Sequence, residues 1–278
     1  MITLKHFGYR YPNTEAWALR KISLEIPDGQ FVGVVGANGA GKSTLCYALS
    51  GFAPHFYRGK TEGRLHLNEV DVLESSLGDL AGEVGLVFQN PFNQISGARY
   101  SVREEIAFGL ENLGLPPSEI ETRVSQVLAQ SDLSELAERS PFALSGGQQQ
   151  RVAIAAIMAM QPSVLVLDEP TSQLDPHGTR EVFANLDALT QERAATVVLA
   201  SHKLEWLAAF CDRVLVLHQG RLVADGEPAQ VLADEVLLDY GIGGTRYTLA
   251  ARAAQQGGLV SAQRALPVTL DQAREFFR

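Results

Sequence analysis

The most constraining feature of this sequence is a glycine-rich stretch, residues 36–43, which reads GANGAGKS. It follows the apolar run 31–35, typical of a buried strand, and precedes the helical pattern 44–49. A strand, a glycine loop and a helix in this order form the context in which G-x-x-x-x-G-K-[ST] binds phosphate. The flanking elements therefore favour a nucleotide site over a glycine-rich turn that binds nothing.

The residue types of the loop suit a triphosphate. Glycine lacks a Cβ, so the backbone can approach the anion closely and adopt positive φ angles. Successive N–H groups and the positive end of the following helix then face the phosphates. Lys42 is expected to reach the β- and γ-phosphates, and the Ser43 hydroxyl is expected to hold Mg²⁺.

Composition excludes several classes of protein. The net charge of −9 argues against a protein that coats nucleic acid, because such binding depends on clustered Lys and Arg. Cys46 and Cys211 lack metal or redox spacing and are interpreted as reduced core residues in the cytosol. The sequence starts in a strand-like pattern without a signal peptide, and its longest apolar run, 152–160, is shorter than the ~20 residues that span a bilayer.

Periodicity predicts an α/β fold. The C-terminal half alternates buried strands with helices: strand 164–167, helix 178–192, strand 196–200, helix 203–210 and strand 214–217. This alternation predicts a mostly parallel sheet with helices on both faces. Residues 2–7 and 22–26 alternate as strands around a turn-rich segment, 9–13. Residues from about 101 to 160 have helical periodicity, which predicts a helical subdomain of about 90–160 inserted in the α/β core.

Residues 227–278 form a weaker pattern, expected to be a small C-terminal appendage. Helices are predicted at 229–238, 246–255 and 269–277. Thr269 and Gln272 have the spacing of a capping box at the start of the last one.

A pair of acids, Asp168 and Glu169, closes the strand at 164–167. The carboxyl ends of parallel strands meet at the ligand-binding edge of the sheet, which also holds the glycine loop. Asp168 is expected in the Mg²⁺ shell, and Glu169 is expected to polarise a water aimed at the γ-phosphate. A solvated acidic pair is the alternative, and the presence of the loop favours the functional role.

A second motif, LSGGQ at 144–148, stands directly before a helical run. Ser145 is a suitable N-cap, and the glycines leave helix-end N–H groups free for an anion. The stretch is consistent with a simple capped helix. However, a second anion site without a second lysine suggests that it serves a nucleotide held elsewhere.

Together these motifs resemble the ATP-binding cassette (ABC) family over residues 1–226. GANGAGKS resembles its Walker A motif, LSGGQ its signature and VLVLDEP its Walker B motif. The resemblance implies a P-loop NTPase (RecA-like) core with an N-terminal antiparallel β subdomain and an inserted α-helical subdomain. Two positions depart from the family pattern, with Gln173 where Ala is usual and Lys203 where an acid commonly follows the histidine.

The resemblance assigns roles to individual residues. The expected catalytic residues are Lys42, Glu169 and His202, the last being the family's switch histidine. The expected ATP-binding residues are Tyr11, Gly36, Ala37, Asn38, Gly39, Ala40, Gly41, Lys42, Ser43 and Thr44. The expected Mg²⁺ ligands are Ser43, Asp168 and Gln89 of the Q-loop. Tyr11 is the candidate for stacking on adenine, with Tyr9 as the alternative.

The family resemblance also implies a head-to-tail dimer, either homodimer or heterodimer. In such a dimer the signature residues of one subunit close over the ATP held by Lys42 of the other. The signature residues are Ser145, Gly146, Gly147 and Gln148, and Asp175 belongs to the adjoining D-loop.

A narrower resemblance is to the energy-coupling-factor (ECF) importers of vitamins and transition metals, carried by residues 85–94, 101–115 and 266–273. It implies an integral-membrane coupling subunit, a substrate-binding membrane subunit and a place on the cytoplasmic face of the membrane. It also implies that residues 227–278 help to hold the ATPase pair together. Phe92 stands where that family usually has an acid that contacts the membrane coupling subunit. The difference either alters that docking contact or is a surface change of no consequence.

The sequence leaves alternative functions open. The chain could serve a conventional ABC transporter, act on DNA or ribosomes as a soluble ABC ATPase, or be a P-loop kinase. A docking surface for a membrane partner is expected in residues 89–110. Its exposed apolar residues would be Phe92, Ile95, Ile106 and Phe108, unless these form the core of the helical segment.

Overall fold

The computed structural model describes residues 1–193 and 195–278, with the side chains of 189, 190, 192 and 193 also outside the description. The strands are β1 (Ile2–Arg10), β2 (Leu19–Ile26), β3 (Phe31–Val35), β4 (Lys60–Leu67), β5 (Val70–Asp71), β6 (Val84–Val87), β7 (Val164–Asp168), β8 (Thr196–Ala200), β9 (Arg213–His218) and β10 (Arg221–Gly226). The helices are α1 (Lys42–Leu49), α2 (Phe52–His55), α3 (Leu77–Leu80), α4 (Val102–Asn112), α5 (Pro117–Gln130), α6 (Gly146–Met160), α7 (Pro176–Arg193), α8 (Leu204–Phe210), α9 (Pro228–Val231), α10 (Val236–Asp239), α11 (Arg246–Gln256) and α12 (Leu270–Phe276). Short 3₁₀ turns lie at Pro91–Asn93, Ser134–Leu136 and Pro141–Ala143.

A six-stranded sheet forms the centre of the molecule, in the order β10-β9-β3-β8-β7-β6. The strands from β9 to β6 run parallel, and β10 pairs antiparallel with β9. Alternate side chains enter two cores: Val32 and Val34 pack toward α1, whereas Phe31 and Val35 pack toward α7 and α8. The fully apolar strands thus follow from burial on both faces, as the alternation of strands and helices predicts.

The N-terminal subdomain is a separate antiparallel sheet in the order β2-β1-β4-β5, as expected. Strand β1 continues through Tyr9 and Arg10, which the turn-rich composition had assigned to a loop. That assignment was wrong because Tyr9 is fully buried and pairs with Thr61 of β4. Tertiary pairing overrides the local turn signal here.

The helical segment between β6 and β7 contains α4, α5 and α6, as the periodicity predicts. Of the four apolar residues expected on a docking surface, Phe92 is 59% exposed, but Ile95 and Ile106 are 8% and 0% exposed. Ile106 packs in the same core as Val102 and Leu110. The expectation of exposure was therefore wrong for Ile95 and Ile106, and for Ile106 the alternative of a core position is the one observed.

The tail after β10 packs against the sheet. Its apolar residues in the same core as Phe31 are Val231, Leu232, Leu237, Ile242 and Val268. Instead of one helix at 229–238 the structure has α9 and α10, since the Asp234 carboxylate accepts a bond from Val236 N at 3.0 Å and interrupts the helical ladder. The Thr269–Gln272 capping box is present, as predicted.

Two contacts join the tail to the rest of the chain near the nucleotide-binding edge. The backbone N–H and the Nε of Arg246 both donate to Glu205 Oε1, at 3.1 and 3.2 Å. The rings of Tyr240 and His218 lie 4.8 Å apart. Among the described residues, no helix is long and apolar enough to cross a membrane.

Candidate nucleotide-binding site

The phosphate loop connects the end of β3 to the start of α1, as the motif predicts. A Cβ at Gly36 would lie 2.6 Å from the Leu217 carbonyl oxygen, so no larger residue fits. Gly41 has φ 110°, and a Cβ there would lie 2.8 Å from the Ala18 carbonyl oxygen. Both glycines are thus required by the path of the chain.

The loop borders an open cavity of about 340 Å³. It is lined by Tyr11, Ala18, Asn38, Gly39, Gly41, Lys42, Ser43, Thr44, Gln89, Glu169 and His202. Apart from Ala18, each of these is a residue that the sequence assigned to the site. The fold therefore brings together residues that are as much as 191 positions apart, counting from 11 to 202.

Lys42 lies almost buried at the floor of this cavity, with 7% of its surface exposed. Its ammonium donates to the Gly36 carbonyl at 2.9 Å, to the Ala37 carbonyl at 3.4 Å and to His202 Nε2 at 3.1 Å. Burial lowers the pKa of Lys42, and the nearby carboxylates of Glu169 and Asp168 oppose that shift. The Lys42 ammonium is thus held at the phosphate loop, on the wall of the cavity.

Asp168 ends β7 and is 1% exposed. Burial raises the pKa of its carboxyl group, while a hydrogen bond from Ser43 and the charge of Lys42 lower it. Its Oδ1 is buried without a hydrogen-bond partner among the described residues. An orphaned carboxylate oxygen beside a hydroxyl is a hard donor set that fits Mg²⁺, a cation that usually takes one or two carboxylates plus phosphate and water.

Glu169 follows Asp168 in a left-handed conformation, with φ 50°. Its backbone N–H donates to the Ala200 carbonyl at 2.9 Å, which anchors the turn to the end of β8. Its Oε2 accepts a bond from His202 N at 3.3 Å. Burial raises the pKa of the Glu169 carboxyl group, and the positive charge of Lys42 is the largest effect that opposes this rise. A buried carboxylate with a raised pKa is a better proton acceptor.

His202 is neutral in this arrangement. Burial and then the charge of Lys42 lower its pKa. Its Nε2 lies 3.5 Å from Glu169 Oε1, but the same nitrogen accepts the bond from Lys42. A protonated lysine has no lone pair, so the ring nitrogen must be unprotonated and its contact with Glu169 is not an ion pair.

The structure separates the two tyrosine candidates. Tyr9 is fully buried, and its hydroxyl donates to the Arg58 carbonyl. Tyr11 lines the cavity, and its hydroxyl lies 3.2 Å from Thr44 Oγ1. Only Tyr11 is therefore available to a ligand.

The signature residues lie outside this cavity. Ser145 caps α6 as predicted: its hydroxyl accepts from Gln148 N at 3.3 Å, and Gln148 Oε1 accepts from Ser145 N at 3.0 Å. Together with Gly147 and Asp175 they line a second cavity, of about 530 Å³. The Asp175 carboxylate caps α7 by accepting from Gly178 N at 2.7 Å.

Two basic residues near these cavities, Arg151 and Lys203, are not among the site residues that the sequence predicts. Arg151 lines the second cavity, six residues or about 1.7 turns after Ser145, and a basic residue on the helix that LSGGQ begins is the signal that could have identified it. Lys203 donates to the Thr171 carbonyl and the Thr179 hydroxyl. No local pattern predicts that contact.

Comparison with known proteins agrees with this geometry. The family model "ABC transporter" matches residues 19–172. The energy-coupling factor transporter ATP-binding protein EcfA1 of Caldanaerobacter subterraneus subsp. tengcongensis is 42% identical over 245 residues, covering 87% of this chain and 85% of the relative.

Solved structures agree as well. The structure of cbiO1 from Clostridium perfringens, part of the ABC transporter complex cbiONQ, has a TM-score of 0.74 and 31% identity, covering 92% of this chain and 94% of that one. The ATP-binding cassette MJ0796, solved as a post-hydrolysis dimer bound to ADP and Pi, has a TM-score of 0.73 and 28% identity. The match covers 82% of this chain and 99% of that one. The expected fold class and the resemblance to ECF subunits are confirmed, and the chain belongs to the ABC transporter family as an ATP-binding subunit that hydrolyses ATP.

Proposed function

We propose that this chain is the ATP-hydrolysing subunit of an ECF-type membrane importer and that it works as a head-to-tail dimer. The main observation in favour of a dimer is that the phosphate loop and the signature residues line two separate cavities. Lys42 and Glu169 line one cavity, whereas Ser145, Gly147 and Asp175 line the other. Each nucleotide would therefore be bound by the phosphate loop of one subunit and by the signature residues of the other, which is a second copy or a close relative.

In each composite site the phosphate loop binds the triphosphate, with Lys42 on the β- and γ-phosphates. Ser43, Asp168 and Gln89 would hold Mg²⁺, which neutralises charge on the phosphate oxygens when bound. Glu169 accepts a proton from the attacking water, and its burial keeps it basic. Neutral His202 is placed to contact the γ-phosphate side, next to both Lys42 and Glu169.

The signature residues act on the partner's nucleotide. The capping box uses the Gln148 N–H, and the N–H groups of Gly146 and Gly147 at the start of α6 remain available to an anion. ATP binding then joins the two subunits, and hydrolysis releases them. MJ0796 was solved as a dimer with ADP and Pi, which supports a dimeric form of this chain and implies that separation follows the departure of the products.

We place the membrane partner at the groove beside α4. A cavity of about 220 Å³ there is lined by residues that include Phe108, Gly109 and Met160, and Phe92, which is 59% exposed, lies two residues before the lining residue Gln94. The similarity to EcfA1 and to cbiO1, part of a transporter complex, supports a membrane coupling subunit and a substrate-binding subunit as partners. The chain would then lie on the cytoplasmic face of the membrane.

Residues 227–278 would form the appendage that holds two ATPase subunits together. Its exposed apolar side chains include Leu249, Leu270 and Phe277, which are 46%, 47% and 52% exposed. Apolar side chains left on the surface of a small appendage are suited to burial against a second copy.

The importer role is tested by fractionating cells that produce the tagged chain. We expect the native protein in the membrane fraction, bound to integral-membrane proteins that stimulate its ATPase activity. Phe92→Asp should move it to the soluble fraction, whereas Phe56→Asp, at a residue that is 64% exposed, should not. Stimulation by DNA or ribosomes, without membrane association, would support a non-transport ATPase instead.

A further inference from the structure

Lys203 joins two points of the segment that follows Glu169, the proposed general base. Its ammonium donates to the Thr171 carbonyl at 2.7 Å and to the Thr179 hydroxyl at 2.9 Å. Both acceptors are buried, at 1% and 0% exposure. Thr171 lies two residues after Glu169, and the two threonines bracket the segment that contains Asp175. The Lys203 ammonium therefore links the two ends of the segment 171–179, which contains the D-loop residue Asp175.

Short-range hydrogen bonds also hold this segment: Ser172 N donates to the Glu169 carbonyl at 3.2 Å, and Gly178 N donates to the Asp175 carboxylate at 2.7 Å. Leu174 N donates back to Thr171 O at 3.2 Å, and Thr179 N donates to Asp175 O at 2.9 Å. Glu169 itself has φ 50°, a conformation that costs a non-glycine residue free energy and persists only when its surroundings fix it. A charged donor that binds both ends of the following turn supplies such a constraint.

The backbone of Lys203 is anchored on the other side. Its N–H donates to Ser201 Oγ at 3.1 Å, and Ser201 N donates to the Val34 carbonyl at 3.1 Å. Val34 belongs to β3, the strand that leads into the phosphate loop. Lys203 thus connects the strand behind the loop with the turn that follows Glu169.

We propose that Lys203 is a positioning residue that fixes Glu169 and the D-loop relative to His202 and the phosphate loop. The proposal rests on the proposed role of Glu169 in hydrolysis. Burial lowers the pKa of Lys203, and the carboxylates of Glu169 and Asp175 oppose that shift. The side chain touches neither nucleotide cavity, so its effect on the reaction passes through the residues that it holds.

The test compares Lys203→Met, which removes the charge and the donors, with Lys203→Arg, which keeps them. The control is Lys5→Met, at an exposed lysine on β1. For Lys203→Met we expect kcat to fall by about tenfold to a hundredfold, as for a displaced catalytic group. KM for ATP should stay within about twofold, because the phosphate contacts are intact. Lys203→Arg should recover most of kcat.

Hydrogen exchange provides a readout besides activity. In Lys203→Met the amides of Leu174, Gly178 and Thr179 should exchange faster, and those of the phosphate loop should not change. A Lys203→Met protein with native kcat and native exchange at these amides would overturn the proposal. So would a loss of kcat that Lys203→Arg does not recover.

A second variant covers the case in which Lys203→Met fails to fold. Thr179→Val removes one acceptor while keeping the side-chain volume, and it should lower kcat in the same direction, with Thr179→Ser close to native. Unchanged kcat in Thr179→Val would then refute the proposal. The proposed function is judged separately by Glu169→Gln: if that variant hydrolyses ATP normally, the assignment of Glu169 fails, whatever Lys203 does.

Discussion

The Lys42 ammonium donates a hydrogen bond to His202 Nε2, at 3.1 Å, across 160 positions of sequence. The same ammonium is held by the Gly36 carbonyl, so an incoming γ-phosphate competes with both acceptors for it. Because His202 Nε2 also lies 3.5 Å from Glu169 Oε1, moving Lys42 onto a phosphate changes the partners of all three side chains. Nucleotide binding would thus change the contacts of Glu169, the proposed general base.

Glu169→Gln should keep ATP binding and lose turnover. The amide matches the carboxylate in size but cannot accept the proton of the attacking water, so we expect kcat to fall by at least about a hundredfold. With ATP and Mg²⁺ the variant should accumulate as a dimer on size-exclusion chromatography. Glu15→Gln, at an exposed position, is the control. Native turnover by Glu169→Gln would remove this residue from the mechanism.

Two inactive variants should restore activity when mixed, if the dimer is head-to-tail. Lys42→Ala removes the phosphate contact of its own subunit, and Ser145→Arg blocks the signature contact to the partner's ATP. Each alone should be inactive, but a mixed dimer combines an intact Lys42 with an intact Ser145 in one of its two sites. ATPase assays of the mixture at several ratios measure this. Inactivity at every ratio would contradict a shared site between copies of this chain.

Tyr11→Ala should weaken ATP binding with little change in kcat. Stacking of a base on an aromatic ring is worth about 1–3 kcal/mol, which corresponds to about a 5- to 150-fold rise in the dissociation constant. Tyr11→Phe keeps the ring and loses only the hydroxyl contact to Thr44, so its affinity should remain near native. Fluorescent-nucleotide titration measures both. An unchanged affinity in Tyr11→Ala would assign adenine binding to another side chain.

Neighbouring leucines of the tail should differ sharply in their contribution to stability. Leu237 is 1% exposed and belongs to the core that contains Phe31, whereas Leu238 is 53% exposed. Leu237→Ala should therefore lower the free energy of unfolding by about 2–5 kcal/mol. Leu238→Ala should change it by less than about 0.5 kcal/mol. Urea denaturation of the two variants makes the comparison, and equal losses would show that the tail does not share this core.

The sequence by itself determined the features that depend on short-range chemistry. The glycine loop, the N-cap at Ser145, the capping box at Thr269 and the acids at the end of β7 each need only a few adjacent residues. Their geometry follows from φ, N-cap hydrogen bonds and strand direction, which local residue types control. The alternation of strands and helices likewise determined the parallel sheet.

Only the tertiary structure decided which equivalent-looking residues face a ligand and which face the core. Tyr9 and Tyr11 are alike in sequence, but pairing of β1 with β4 buries Tyr9 and leaves Tyr11 on the cavity. The sequence leaves open whether Ile106 lies on a docking surface or in the core, and packing with Val102 and Leu110 buries it. The contact of Lys203 with Thr171 and Thr179 joins segments distant in sequence, and such contacts depend on how the whole chain packs rather than on any local pattern.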